Sequence, residues 1–225
     1  AYHALLLTEV KDKNFIQQTE DSQIRIAVQY YDSIKDIPMQ AKSYYYLGCI
    51  WRDKDKHPEA LKEFFKAITY SKKANDNKLT GYIYNNIANI YLSQRLHEQA
   101  DSIYQITEKL AIQEKDSNLW ADVLSQRGMI DINRGKKYYD EAEQKILTAF
   151  KISCHIAQKS MIAKTAYSLS LLYGRMNMGE KAVKFAKLNI INQDNPNVAY
   201  RDFLILGEAY YKVSQYDSAS IFLNK

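Results

Sequence analysis

The sequence predicts an all-α chain built by stacking pairs of helices, and three observations lead there. A two-part pattern returns at a nearly fixed interval. Tyr44-x2-Leu47-Gly48-x2-Trp51 is followed by Ala60-x3-Phe64-x2-Ala67, and Tyr84-x2-Ile87-Ala88-x2-Tyr91 by Ala100-x3-Tyr104-x2-Thr107. Phe203-x2-Leu206-Gly207-x2-Tyr210 leads in the same way to Ala219-x3-Leu223. Spacings of three and four put these side chains on one face of a helix. Second, 7 Gly and 3 Pro in 225 residues leave too little turn chemistry for a sandwich or barrel, and no run alternates Val, Ile and Thr. Third, a hydrophobic fraction of 46% suffices to bury a continuous seam shared between neighbouring repeats. One elongated helical-repeat domain over residues 1–225 is expected, with about twelve helices.

The elements follow in order. Ala27-x3-Tyr31-x2-Ile34 reads as the second helix of a pair whose first lies loosely around Ala4 to Val10. Pro38 and Pro58 suit first helical positions, because proline lacks the N–H that a helix start leaves unbonded. Asn75-Asp76-Asn77 and Asp116-Ser117 are turns between repeats. Leu124-x2-Arg127-Gly128 leads into Ala142-x3-Ile146-x2-Ala149, with extra residues near Arg134 to Tyr138; Ala166-x2-Leu169-Ser170-x2-Tyr173 leads into Ala182-x3-Ala186. Asn195-Pro196 is expected to close one helix and open the next. The small residues fall at 48, 88, 128, 170 and 207.

These residues resemble the tetratricopeptide repeat (TPR). The resemblance implies a right-handed superhelical solenoid of antiparallel helix pairs, about six of them here. The spacing of about 40 exceeds the ~34 of that repeat, which helices longer by about a turn would explain. A small residue such as Gly48, Ala88 or Gly207 lets the second helix approach the first, Ala60, Ala100 and Ala219 reciprocate, and aromatics fill the space around the crossing. The richness in tyrosine, 19 in all, is thereby mostly architectural, with Trp51, Tyr91, Tyr173 and Tyr210 among the packing residues: a Tyr at a helix crossing buries its ring and keeps its hydroxyl near solvent or a backbone partner.

A net charge of +5 comes from 31 Lys and Arg interspersed with 26 Asp and Glu, with no basic run longer than a pair such as Lys72-Lys73. That pattern is a solvated surface, and direct nucleic-acid binding is not expected. No phosphate loop, nucleophile elbow, zinc-helix motif or paired cysteine spacing is present, so neither catalysis nor a metal or other cofactor is expected. His57 and His97 open successive second helices where Tyr139 and Tyr216 stand in later copies, and read as packing equivalents of tyrosine. Asp53 and Asp55 read as turn and cap residues. Cys49 and Cys154 lie too many repeats apart to bridge.

Function is expected on the concave face, lined by the first helix of each pair. The side opposite the packing residues carries Lys42, Tyr45, Cys49 and Arg52, then Tyr82, Asn85, Asn86 and Asn89. It continues with Gln126, Met129 and Asn133, then Tyr167 and Arg175, then Arg201 and Glu208. The three asparagines stand out, since an amide both donates to and accepts from an extended backbone. In the family, Asn at the places of Asn86 and Asn89 often holds a bound peptide, although the other copies here depart from that pattern. With Lys164, the cations Lys42, Arg52, Arg175 and Arg201 suit an acidic segment or a terminal carboxylate.

The stretches Ala4-Leu-Leu-Leu-Thr-Glu-x-x-Asp-Lys-Asn14, Asp21-Ser-x-Ile24, Ala27-x-x-Tyr30-Tyr31 and Ala41-x-x-Tyr44-Tyr-Tyr-Leu-Gly48 are similar to the N-terminal repeat regions of membrane-anchored bacterial regulators. That resemblance implies an extracytoplasmic sensing or scaffolding role within a longer protein, possible self-association included. The expectation is a non-enzymatic scaffold for a peptide or protein segment. The alternatives are a cytoplasmic adaptor or peptide-pheromone receptor of the same fold and, more remotely, a mainly structural self-associating module.

Overall fold

The structure, a computed structural model, describes residues 1–14, 16–18, 20–193 and 200–223. Among them twelve α-helices follow one another: α1 (Tyr2–Lys13), α2 (Ser22–Ile34), α3 (Ile37–Asp53), α4 (His57–Lys73), α5 (Asn77–Ser93), α6 (His97–Gln113), α7 (Ser117–Arg134), α8 (Tyr139–His155), α9 (Lys159–Arg175), α10 (Gly179–Ile191), α11 (Tyr200–Lys212) and α12 (Tyr216–Leu223). The chain forms two compact units, Ala1–Lys115 and Asp116–Lys225. Odd-numbered helices are the first of each pair, and each packs against its even-numbered partner. Within a unit, successive first helices also touch: α1 with α3 and α3 with α5 in unit 1, α7 with α9 and α9 with α11 in unit 2.

The pairs close through the small residues. A Cβ built on Gly48 would stand 2.6 Å from the ring of Phe64, and one on Gly207 2.7 Å from Leu223; at Gly128 it would collide with Ile146. Where Ser170 takes the small position, its hydroxyl donates across the pair to the carbonyl of Ala182 at 2.9 Å. Ala60, Ala100, Ala142 and Ala182 are all fully buried opposite these sites. The helices lie so close that one methyl group fills the gap.

The longer period has a regular cause. Helices α3, α4, α5, α6, α8 and α9 each run 17 residues. The turns that end α2 and these helices place Lys35, Asp55, Asn75, Arg95 and Lys115 at positive φ in unit 1, then Ala157 and Asn177 in unit 2. Helix plus turn therefore makes a 20-residue beat through unit 1, and two beats make one repeat. The turns are Schellman caps, in which the residue after the left-handed one donates back five positions: Lys56 to Trp51, Asp76 to Ser71 and Leu96 to Tyr91, each at 2.9 Å. Three first helices, α3, α5 and α7, open on an aspartate: Asp36, Asp76 and Asp116 accept from the N–H of Met39, Leu79 and Leu119 at 3.2, 2.9 and 3.0 Å. The insertion before α8 is a single 3-10 turn, Lys136–Tyr138, entered through Gly135 at φ 109°. The Asn195-Pro196 boundary expected from the sequence lies outside the described residues.

Two sequence expectations need correction. Three tyrosine hydroxyls go to side chains of neighbouring helices rather than to solvent or backbone: Tyr44 donates to Asp32, Tyr104 to Asn89 and Tyr173 to Glu143, all at 2.6 Å. Asp53 ends α3 and pairs with Arg52 at 2.7 Å instead of capping a helix, while Asp55 sits in the turn at φ 56°.

Gly48→Ala is expected to lower stability by about 1–3 kcal/mol, the scale of forcing a methyl group into a filled core. Arg95→Gly should raise stability by about 0.5–1 kcal/mol by relieving a left-handed residue, with a smaller gain for Asn75→Gly because Asn tolerates that conformation. Urea midpoints of the three variants check both signs.

Candidate functional site

In unit 1 the polar residues of the first helices bind one another. The Arg52 guanidinium on α3 donates to Asp53 from two nitrogens, at 2.9 and 2.7 Å, and to Asp12 of α1 at 3.1 Å. It also donates to the amide oxygen of Asn86 on α5, and it lies 3.7 Å from the Cys49 sulfur. The amide nitrogen of Asn86 donates to the Tyr82 carbonyl at 3.0 Å and to the Tyr45 hydroxyl at 3.4 Å. One guanidinium thus ties three helices together, because its planar fork offers five N–H groups in fixed directions.

This arrangement corrects the expected open face. Tyr45, Asn85 and Asn86 are only 8%, 8% and 7% exposed, and Cys49 is fully buried. They lie between successive first helices, whose side-by-side packing encloses the residues opposite the pair contact. Burial pushes the Tyr45 phenol and the Cys49 thiol far above their ordinary ranges, which favours the neutral form of both near neutrality. Arg52 and Asn89 are half-buried and bonded within the fold, Asn89 through the Tyr104 hydroxyl. Lys42 and Tyr82 are half-buried at the edge of the same face.

Unit 2 keeps the corresponding face more open. Asn133, Arg175 and Arg201 are exposed; Gln126 and Tyr167 are half-buried. Arg175 reaches from α9 to the Ile132 carbonyl at the end of α7, at 3.0 Å. The guanidinium of Arg201 stacks 4.6 Å from the centre of the Tyr167 ring. Lys164 pairs with Asp122 of α7, and Ser125 lies 3.3 Å from Ser168 across the same contact.

Between α9 and α11 opens a groove of about 170 Å³, floored by Ala182 and Ala209 and walled by Arg175, Ile205, Glu208 and Lys212. Gly174 makes room for it, since a Cβ there would find nothing nearer than the Lys212 nitrogen at 4.0 Å. That ammonium donates to the Gly174 carbonyl and is thereby held over the groove. Sequence reasoning reached Arg175, Arg201 and Glu208 but missed Lys212. The signal was present: Lys212 follows Glu208 by four and Arg201 by eleven, which keeps all three on one helix face. Among the described residues, no group of three or more His, Cys, Asp or Glu is placed to hold a metal ion, and no helix is long and apolar enough to cross a membrane.

The architecture is an all-α helical repeat with a TPR-like fold. No protein-family model matches the sequence, and no curated protein matches it. Among solved structures the chain is similar to a Signal Transduction ATPase with Numerous Domains protein with a tetratricopeptide repeat sensor from Pyrococcus horikoshii. That match has a TM-score of 0.75 at 18% identity, over 97% of this chain and 35% of the other. It is similar also to the apo form of the quorum sensor NprR from B. thuringiensis, with a TM-score of 0.75 at 14% identity, over 99% of this chain and 62% of that one. BtubC from P. vanneervenii gives 0.74 at 14%, over 99% and 88%.

Arg52→Gln is expected to destabilise unit 1 by about 2 kcal/mol, less than the 3–5 typical of a broken buried ion pair because the side chain is 29% accessible. Asn86→Ala should cost about 1 kcal/mol, the scale of a lost hydrogen bond, so a loss of thermal stability is the expected readout of either change.

Proposed function

We propose that this chain is a non-enzymatic interaction scaffold that binds a peptide or protein segment along the first helices, with an acidic segment seated in the α9–α11 groove of unit 2. The observation that carries the reading is the groove itself. Open space at Gly174 lies beside two cations, Arg175 and Lys212, that are exposed at its rim. A guanidinium grips a carboxylate through two N–H groups, and an ammonium adds a point charge. Glu208 on the same wall gives the groove a direction, repelling a carboxylate from one end. The apolar floor of Ala182 and Ala209, with Ile205 on the wall, fits a small aliphatic side chain between the charges.

The finer reading, the sensory part of a larger bacterial regulator placed outside the cytoplasm, is supported by two things. One is the fold shared with a repeat sensor of a signal-transduction ATPase and with a quorum sensor. The other is the likeness of the N-terminal segments to membrane-anchored regulators. Asn86 and Asn89 do not lead this proposal, because both amide oxygens already accept from Arg52 and Tyr104.

A fluorescein-labelled, glutamate-rich decapeptide with a free C-terminus tests the groove by anisotropy. Arg175→Glu with Lys212→Glu is expected to weaken binding at least ~10-fold, about 1.4 kcal/mol, without loss of helical content. Affinity should also fall as salt rises. Equal affinity for the double variant and the unaltered chain overturns the assignment.

A further inference from the structure

We infer that the α9–α11 groove takes a segment of mixed charge, in which an arginine two residues from a carboxylate is received by Glu208. The inference rests on the reading of that groove as a peptide site and adds which residues the segment carries.

Unit 1 holds a precedent for what fills the open space. Counted from the small residue of each first helix, Gly174 stands where Arg52 does, four positions beyond Ser170 and Gly48 respectively. Two positions before the small residue, Ile205 of α11 stands where Asn86 of α5 does. In unit 1 the Arg52 side chain spans from α3 to α5, and its guanidinium donates to Asn86 there. In unit 2 the same place lacks its arginine. Gly174 brings no side chain, and only the tip of Lys212 approaches, 4.0 Å from where a Cβ would stand. A guanidinium on an aliphatic stem is thus the group that the chain itself puts between two first helices. The floor of Ala182 and Ala209 suits such a stem, since arginine lays its methylenes along apolar surface and keeps its head in water.

The charges at the rim are arranged for a partner that brings both signs. Arg175 donates to the Ile132 carbonyl at 3.0 Å, and Lys212 donates to that of Gly174. Glu208 precedes Lys212 by four residues, the order in which a surface ion pair on a helix forms best, yet Lys212 reaches across to α9 instead. Among the described residues, no hydrogen bond or ion pair reaches the exposed Glu208 carboxylate. A base entering alone is repelled by Arg175 and Lys212, and an acid entering alone is repelled by Glu208. A segment with one of each satisfies both ends, its carboxylate on the two cations and its guanidinium on Glu208. Side chains four apart on a helix stand about 5–6 Å from each other. Side chains two apart in an extended segment point to one side, about 6–7 Å from each other, so acid and base at that spacing match Lys212 and Glu208.

Two fluorescein-labelled decapeptides, otherwise of Ser and Ala, test the pairing by anisotropy at low salt. One has the centre Arg-Ala-Glu-Ala-Arg and the other Gln-Ala-Glu-Ala-Gln, palindromes that leave the chain direction open. Each is titrated into the unaltered chain and into Glu208→Gln, an exposed substitution. The ratio of affinities, arginine peptide over glutamine peptide, is expected to fall about 3- to 5-fold from the unaltered chain to Glu208→Gln, the upper range for an exposed ion pair. A ratio that does not fall, or no binding of the arginine peptide, overturns this inference. It overturns this inference alone where the glutamate-rich decapeptide still loses affinity for Arg175→Glu with Lys212→Glu. Indifference of the glutamate-rich decapeptide to those two substitutions overturns the groove reading and this inference with it.

Discussion

Within a pair, the separation of the two helices is set by a side chain pressed against a position that has no room for a Cβ: Phe64 on Gly48, Ile146 on Gly128, Leu223 on Gly207. In α9 a serine hydroxyl bonded to the Ala182 carbonyl performs the same office. Everything else is fitted around these contacts. Because the axes are close there, the aromatic side chains of both helices must leave the seam sideways, where they meet rings from adjoining helices: Tyr44 stacks on Tyr70 and Tyr173 on Phe185, while Phe150 meets Phe185 edge to face. Their hydroxyls then emerge beside the preceding helix, where Asp32 and Glu143 receive them. Burial, together with acceptance by a carboxylate, pushes both phenols above their ordinary range and keeps them as donors at any physiological pH. The same two rings each carry a lysine 4.8 Å from their centre, Lys66 and Lys181. Two units with different sequences thus reach one solution: a ring held between a cation and an aromatic, with its hydroxyl tied to an acid.

The turns turn this local contact into a repeat. A left-handed residue every 20 positions, closed by a Schellman bond, returns each helix antiparallel to the last at a constant length. Lysine, arginine and aspartate tolerate that conformation at some cost, and their presence in place of glycine shows that the cap hydrogen bonds outweigh it. Where the beat slips, Gly135 takes an extended geometry that L residues rarely adopt, and a 3-10 turn absorbs the added residues before α8 begins.

The pair contacts and the helix order were legible because they depend on residue size at fixed spacing, which a sequence states directly. His57 and His97 do open α4 and α6, where Tyr139 and Tyr216 open α8 and α12. The aspartate caps at Asp36, Asp76 and Asp116 were legible in part, as turn signals at the last two. The character of the binding face was less legible, for a physical reason. Helical periodicity tells which residues point away from the partner helix, but it does not tell whether a neighbouring first helix lies over them. Asn85, Asn86 and Tyr45 point away from their pair contact and are nevertheless buried. The ties from Arg52 to Asp12, Asp53 and Asn86 depend on which repeats lie side by side and on the reach of one long side chain. No local pattern marks Asp12 as that partner.

The contrast between the two faces follows from the size of the residue at one position. Helix α3 ends in Trp51-Arg52-Asp53, large groups that reach outward and draw α1 and α5 onto themselves. Helix α9 ends in Tyr173-Gly174-Arg175, where the small residue leaves the contact with α11 unfilled and lets Lys212 bond to backbone. The polar inventory is similar, a guanidinium with lysines and carboxylates near it, but in unit 1 it is spent on cohesion and in unit 2 part of it faces a groove. A buried ion network adds little net stability over an apolar core while resisting removal of any member.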